Sequence, residues 1–178
     1  VSQRSIAEYA TATGTARAQR QGSLQCLQAG FYQPQKNPRT GAYYAMEDEV
    51  RADEVIVRLV NPELVNQVGI DSKRLAFTSA QREFEKQQAL FDKGGITLRE
   101  LTAAEGAFID ARYSLENGEL QLAKLDIKAP FAGVLVDLVH YSPNQLLDAG
   151  AVVGQIMDYH LLFTEVSMPG KELGRVRP

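Results

Sequence analysis

Cysteine, histidine, methionine and tryptophan are scarce in this chain. Of 178 residues, one is Cys, three are Met, two are His and none is Trp. A lone Cys26 excludes an intrachain disulfide and a cysteine-based zinc site. Gly22-Ser23-Leu24-Gln25 does not make the apolar approach of a lipoprotein cysteine, so Cys26 reads as a half-buried strand thiol. His140 and His160 lack the i, i+4 helical spacing of a metal pair and read as surface or edge residues near strand ends. Three unclustered methionines make no soft-metal relay.

Long hydrophobic runs are missing too. No stretch reaches the roughly 18 apolar residues of a spanning helix, and no apolar core of an export signal follows Val1-Ser2-Gln3-Arg4. An exported form of this sequence is therefore expected to be mature or trimmed. Lys and Arg number 19 against 22 Asp and Glu, for a net charge of −3, and no basic run stands out. Nucleic acid thus has no electrostatic footprint here. The P-loop, G-x-G-x-x-G and G-x-S-x-G patterns are absent, and the acidic residues are scattered along helix faces. The residues point to no catalytic group, metal or cofactor. With 44% apolar and 23% charged residues, the composition is that of a folded globular chain.

What the chain does contain is a partial repeat. Leu147–Asp158 (LDAGAVVGQIMD) aligns with Val50–Asn61 (VRADEVIVRLVN): Leu147 with Val50, Ala149 with Ala52, Val152 with Val55, Val153 with Ile56 and Ile156 with Leu59. Gly150 falls on Asp53, both tolerant of turn geometry. Two similar supersecondary units are one reading of this repeat, and chance likeness between short apolar strands is the other. Around the copies, Ser23–Tyr32, Ala42–Met46, Val55–Val60, Val134–Val139 and Val152–Met157 read as strands, and Leu161 begins another. Gln33–Gly41, with two Pro, Asn and Gly, reads as a surface loop of unexplained length.

Between the copies lies a helical segment. Asn61-Pro62-Glu63 supplies an N-cap, a first-position proline and a first-turn acid, and the helix is expected to run to about Lys93. Ile70, Phe77, Phe84 and Phe91 recur every seven residues, with Ala80 among them. Gly94-Gly95 ends the helix, and Thr97 with Glu100 forms a capping box for the next. That second helix carries Leu101, Ala104, Phe108, Ala111, Leu115, Gly118, Leu122 and Leu125 in steps of three and four, a coiled-coil seam. Two helices of about 30 residues joined by so short a turn fold back antiparallel, each on the order of 45 Å long. Arg82, Glu83, Glu85, Lys86, Gln87 and Gln88 mark the solvated face. The phenylalanines could instead line an aromatic ligand box, but seven-residue spacing is that of core packing.

The run LDIKAPFAGVL, a Val-rich strand, GAVVGQIMD and LLFTEVSMPGKELGRV together resemble the second lipoyl-like half of periplasmic adaptor subunits. These are the membrane fusion proteins of the HlyD-like family that serve tripartite efflux pumps. Ala129-Pro130-Phe131-x-Gly133 is the most specific part of the likeness and has a structural role. The resemblance implies an α+β fold: a lipoyl-like (barrel-sandwich hybrid) β domain split by an inserted antiparallel coiled-coil hairpin, plus strands of an incomplete β-barrel domain. Its implied divisions are 1–20 as entering strands of the membrane-proximal or β-barrel region, 21–60 as the first lipoyl-like half, 61–125 as the hairpin, 126–160 as the second half, and 161–178 as the start of the β-barrel.

The same resemblance implies partners: an inner-membrane transporter of the RND type, a TolC-like outer-membrane channel, and further copies packed in a ring. It implies a periplasmic location, with an inner-membrane anchor outside this sequence, and export of small toxic compounds, hence multidrug resistance. In the family the hairpin tip meets the channel through Arg, Leu four residues on and Ser seven further. Lys86, Leu90 and Thr97 stand at that spacing beside Gly94 and Gly95. An adaptor for an ABC exporter or a secretion system is the close alternative. A lipoyl or biotinyl carrier is the distant one. It would need Lys at Val60-Asn61-Pro62-Glu63 or Met157-Asp158-Tyr159-His160, and neither contains it.

Overall fold

A computed structural model describes residues 14–166. Its elements run β1 (Gly14–Gln25), β2 (Gly30–Pro34), β3 (Glu49–Val50), β4 (Val55–Val60), α1 (Pro62–Val68), α2 (Ile70–Asp92), α3 (Leu98–Ala123), β5 (Asp126–Lys128), β6 (Gly133–Leu138), β7 (Leu146–Leu147) and β8 (Val152–Val166). The strands form two antiparallel four-stranded sheets, ordered β1-β8-β6-β3 and β5-β4-β2-β7. Each sheet takes strands from both sides of the helical segment. Exchanging β1 with β5, β2 with β6, β3 with β7 and β4 with β8 turns one order into the other. The β structure therefore has an internal twofold repeat that spans both halves entirely, well beyond the twelve residues legible in the sequence.

Backbone hydrogen bonds repeat in the same way. Cys26 N donates to Ala151 O at 2.9 Å and accepts on its carbonyl from Gly150 N at 2.7 Å. In the other half Ala129 N donates to Glu54 O and accepts from Asp53 N, both at 2.9 Å. Tyr32 exchanges a pair with Asn144 and Gln145, and Leu135 exchanges the matching pair with Glu47 and Asp48. The left-handed residues follow the symmetry: Asp53 (φ 63°) answers Gly150 (φ 89°), and Glu47 (φ 71°) answers Asn144 (φ 63°). Non-glycine residues hold this conformation where surrounding bonds dictate it. Here the two-bond exchanges on either side do so.

The matched apolar positions share the core. Val50 and Leu147, Ile56 and Val153, and Leu59 and Ile156 are all buried, beside Leu24, Leu135 and Ile127. Fully burying each such side chain contributes on the order of 1.5–3 kcal/mol. The repeat also accounts for the Gln33–Gly41 loop. The path from Tyr32 to Asp48 is six residues longer than its counterpart from Leu135 to Gln145. The extra residues fold over the corner of the first half. Buried Asn37 organises them: its amide donates to Ala42 O, its carbonyl accepts from Gly41 N, and its side chain accepts from Arg39 N.

Several expectations are corrected. Ser23–Tyr32 is not one strand: β1 ends at Gln25, and Cys26–Ala29 turn the chain into the second sheet. Cys26 is fully buried at that corner, not half-buried in a strand. Ala42–Met46 forms no strand, only a bridge between Tyr43 and Lys36. β8 runs through position 160 without a break, so Leu161 continues a strand instead of starting one. It pairs with β1 as far as Gly14, with a register shift opposite Ala18–Arg20. The strand entry expected over residues 1–20 is thus described from Gly14 onward. Residues 1–13, and residues 167–178 of the β-barrel start assigned to 161–178, lie outside the described residues.

The first helix is also interrupted. Gly69 adopts φ 58° and ψ 47°, closing α1 with a bond from its amide to Val65 O, and α2 restarts at Ile70. Gly118 of α3 lies opposite, where an added Cβ would sit 3.2 Å from side-chain atoms of Val68, Ile70 and Lys73. At 1.5 Å per residue, α2 and α3 are on the order of 35–40 Å long, shorter than the 45 Å expected for unbroken helices.

Gly133 tests the close packing of β6 on β8. A Cβ there would lie 2.5 Å from the Met157 carbonyl oxygen, whereas one at Gly106 in α3 meets open space. In urea unfolding, Gly133→Ala is expected to lose about 3 kcal/mol. Gly106→Ala is expected to gain up to about 1 kcal/mol from helix propensity. Equal stability of the two variants would mean that the sheet is not packed as described.

Candidate functional site

α2 and α3 form an antiparallel arm that leaves the β structure at Asn61 and returns at Leu125. Asn61 is fixed at both ends of its amide: the side-chain oxygen accepts from Leu64 N, and the nitrogen donates to Ala29 O, each at 2.9 Å. On the return side, Leu59 N donates to Leu125 O at 2.8 Å. Leu64 and Leu122 pack against the core, so the base of the arm is continuous with it.

Along the arm, Phe108 packs between Phe77 and Phe84, each ring centroid 5.6 Å away and the Phe84 ring nearly parallel. Arg74 faces Glu119 at 3.8 Å, as antiparallel helices require. Every expected seam residue is at least half-buried, from Ile70 to Phe91 on α2 and from Leu101 to Leu125 on the return. Within α2 and α3, full burial is reached at Leu101 and Gly118. A two-helix arm leaves every seam residue open on its flanks, which is why most stop at half-burial. The expected solvated face is exposed at Arg82, Glu83, Glu85 and Lys86, while Gln87 and Gln88 are half-buried.

The far end of the arm gathers most of the expected tip residues. Leu90 O accepts from Lys93 N at 3.2 Å and from Gly95 N at 2.8 Å, and Phe91 O accepts from Gly94 N at 2.8 Å. Gly94 takes φ 72°, a left-handed turn that favours glycine. Thr97 then caps α3. Its hydroxyl accepts from Glu100 N, and the Glu100 carboxylate accepts from Thr97 N and Thr97 Oγ1, both at 2.8 Å. The Thr97 amide, then its hydroxyl, hold Glu100 below the usual carboxylate range. Leu90 is about one-third exposed. Lys86 lies further down α2, exposed and 3.6 Å from Glu83, so it stands apart from the turn itself. The sequence reading missed Leu98, which is 65% exposed beside Thr97. It lies three residues before Leu101, in phase with the seam, but the seam ends at Leu101 and leaves it uncovered.

Ala129-Pro130-Phe131-x-Gly133 sits at the other end, at the edge of the core, with Ala129 and Gly133 buried, Phe131 half-buried and Pro130 exposed. Ala129 is the fully buried corner residue bonded to Asp53 and Glu54. Pro130 and Phe131 close on β1, where a Cβ added at Gly22 would lie 3.3 Å from each. Nearby, the Glu54 carboxylate accepts from Tyr44 Oη at 2.6 Å and from Arg51 N at 2.7 Å, with Arg39 at 3.8 Å. Burial opposes its charge, but these three partners outweigh it and hold its pKa below the ordinary value. Burial, then the bond to Glu54, pushes the Tyr44 hydroxyl far up.

Neither place for a carrier lysine forms a free turn. Val60–Glu63 runs into α1, and Met157–His160 lies within β8. His160 Nδ1 is 2.8 Å from Asp158, and His140 Nδ1 is 3.1 Å from Leu138 O. Among the described residues, no three His, Cys, Asp or Glu side chains come together as a metal site. An open groove of about 820 Å³ runs between the end of β1, β5 and the base of α3. Exposed Leu27 and Leu120 line it, with Lys124 and Lys128.

No protein-family model matches the chain, and no curated protein does. Solved structures do. A MacA–MexA chimera containing the Pseudomonas aeruginosa MexA α-hairpin domain superposes with a TM-score of 0.70 at 13% identity, over 93% of this chain and 56% of that one. A Bacteroides eggerthii protein assigned to efflux transport gives 0.64 at 16% identity, over 96% and 52%. The membrane fusion protein Spr0693 of Streptococcus pneumoniae gives 0.57 at 17% identity, over 92% and 73%. The chain therefore has the fold seen in membrane fusion proteins, and spans about half the length of the first two structures.

The capping box at the arm's end predicts a pH response. Glu100 has a lowered pKa in the folded state, so its contribution is present above the ordinary carboxylate value of about 4.3. It is lost as pH falls through the lower folded value. Thr97→Ala is expected to speed amide exchange over residues 98–101 roughly fivefold at pH 7. That difference should shrink when exchange is measured below about pH 4. Unchanged exchange in Thr97→Ala at pH 7 would show that the cap contributes nothing there.

Proposed function

We propose that this chain is the central part of a periplasmic adaptor that links an inner-membrane efflux transporter to a TolC-like outer-membrane channel. The observation that carries this reading is the arm. Two antiparallel helices project from a β core built by two sequence-distant halves, and the MacA–MexA chimera that the chain resembles at a TM-score of 0.70 contains an α-hairpin domain. We read the core as a lipoyl-like barrel-sandwich hybrid made of residues 21–60 and 126–160. Residues 61–125 are the coiled-coil hairpin, and the β1–β8 ribbon leads toward a β-barrel and membrane-proximal region.

On this reading the chain does mechanical and sealing work, with energy supplied by the transporter. Copies stand side by side in a ring in the periplasm, anchored at the inner membrane. The capped turn at Gly94–Thr97, flanked by Leu90 and with Lys86 further down α2, meets the channel. The exposed Leu98 adds apolar surface to the same end. We read the exporter as an RND-type pump for small toxic compounds, and the hairpin length argues against a protein-secretion adaptor.

A photocrosslinking residue at position 97 of the full-length protein, activated in cells, tests this role. A crosslinked band containing an outer-membrane channel protomer is the expected result. Capture of a cytoplasmic enzyme, or of further copies of the protein alone, would contradict the docking role of the turn.

A further inference from the structure

Opposite edges of one sheet carry complementary features without partners inside the chain. At the β1 edge lies the groove beneath α3. Its floor exposes Leu27 and Leu120. Its rim carries Lys124 and Lys128, and no carboxylate pairs with either among the described residues. Asp126, the acid between them, is held by Arg58 at 2.7 Å. At the β3 edge lies the turn Ala45–Asp48, which leads into β3. It exposes Met46 and Glu47. Arg39 is drawn to Glu49 and Glu54, and no basic group pairs with Glu47 or Asp48 among the described residues.

The turn is already rigid. Asp48 Oδ2 accepts from Ala45 N at 3.0 Å, and Glu47 N donates to Leu135 O at 2.7 Å. A preformed protrusion loses little conformational freedom on docking. Methionine is the side chain best able to adapt to an irregular apolar groove. The groove is basic and apolar, and the turn is acidic and apolar. β1 and β3 are the two outer strands of the same sheet, ordered β1-β8-β6-β3. The surfaces therefore face opposite ways, as a head-to-tail contact between identical chains requires.

We infer that the Met46–Asp48 turn of one copy seats in the Leu27–Leu120 groove of the next, with Glu47 and Asp48 against Lys124 and Lys128. The inference rests on the side-by-side assembly proposed above and assigns that assembly its contact.

Sedimentation velocity on the full-length protein tests it. Lys128→Glu is expected to weaken self-association about tenfold. Glu47→Lys added to the same chain is expected to restore it, because every contact then regains opposite charges. A mixture of Met46→Cys and Leu120→Cys proteins should form a disulfide-linked pair under mild oxidation that neither yields alone, with buried Cys26 out of reach. Self-association that persists unchanged in Lys128→Glu, without the mixed disulfide, would overturn this contact and leave the ring intact. Absence of self-association in the unmodified protein at every concentration would overturn both.

Discussion

At two corners of the β core, the backbone of one sequence half is held by the backbone of the other. Cys26 exchanges two hydrogen bonds with Gly150 and Ala151, and Ala129 exchanges two with Asp53 and Glu54. At each corner a strand leaves one sheet as another enters it, so these four bonds join the sheets as well as the halves. Both corner residues are small and fully buried. Without these exchanges, each half would be a few short strands unable to bury its own apolar face.

The symmetry also shows how the arm arises. Asn61 and Asp158 occupy equivalent positions at the ends of their repeats. After Asn61 comes Pro62, which cannot donate to a sheet ladder and is preorganised for a first helical turn. After Asp158 comes Tyr159, a good strand former, and the chain stays extended through Val166. One copy thus sends out a pair of helices and the other a ribbon of two strands. A difference of a few residues decides which.

Much of this was legible in the sequence because it depends on local chemistry. The N-cap at Asn61, the glycine turn at Gly94, the Thr97–Glu100 box and the seven-residue phenylalanine spacing each specify their neighbourhood, and each stands where expected. The break at Gly69 was not legible, since an isolated glycine is compatible with a continuous helix, and the close approach of Val68 and Ile70 to Gly118 lies across the seam. The repeat was visible where side chains match, over β3–β4 and β7–β8. It was invisible over β1–β2 and β5–β6, where the likeness lies in backbone bonds between dissimilar residues such as Cys26 and Ala129. The long loop made sense only once the halves were superimposed as repeats. The exposed Leu98 and the groove by Leu120 went unseen because exposure depends on where packing stops.

The central claim is that the two halves close into one core and that the helical arm is an addition to it. The ends of the arm meet at the core, where Leu59 N bonds Leu125 O. The most direct measurement is hydrogen exchange on a chain in which residues 62–124 are replaced by a short glycine-containing turn. The account predicts a cooperatively folded protein in which the amides of Cys26 and Ala129 stay strongly protected. Loss of protection at both corners in that chain would mean that the halves are held together by the helices, and would contradict the claim.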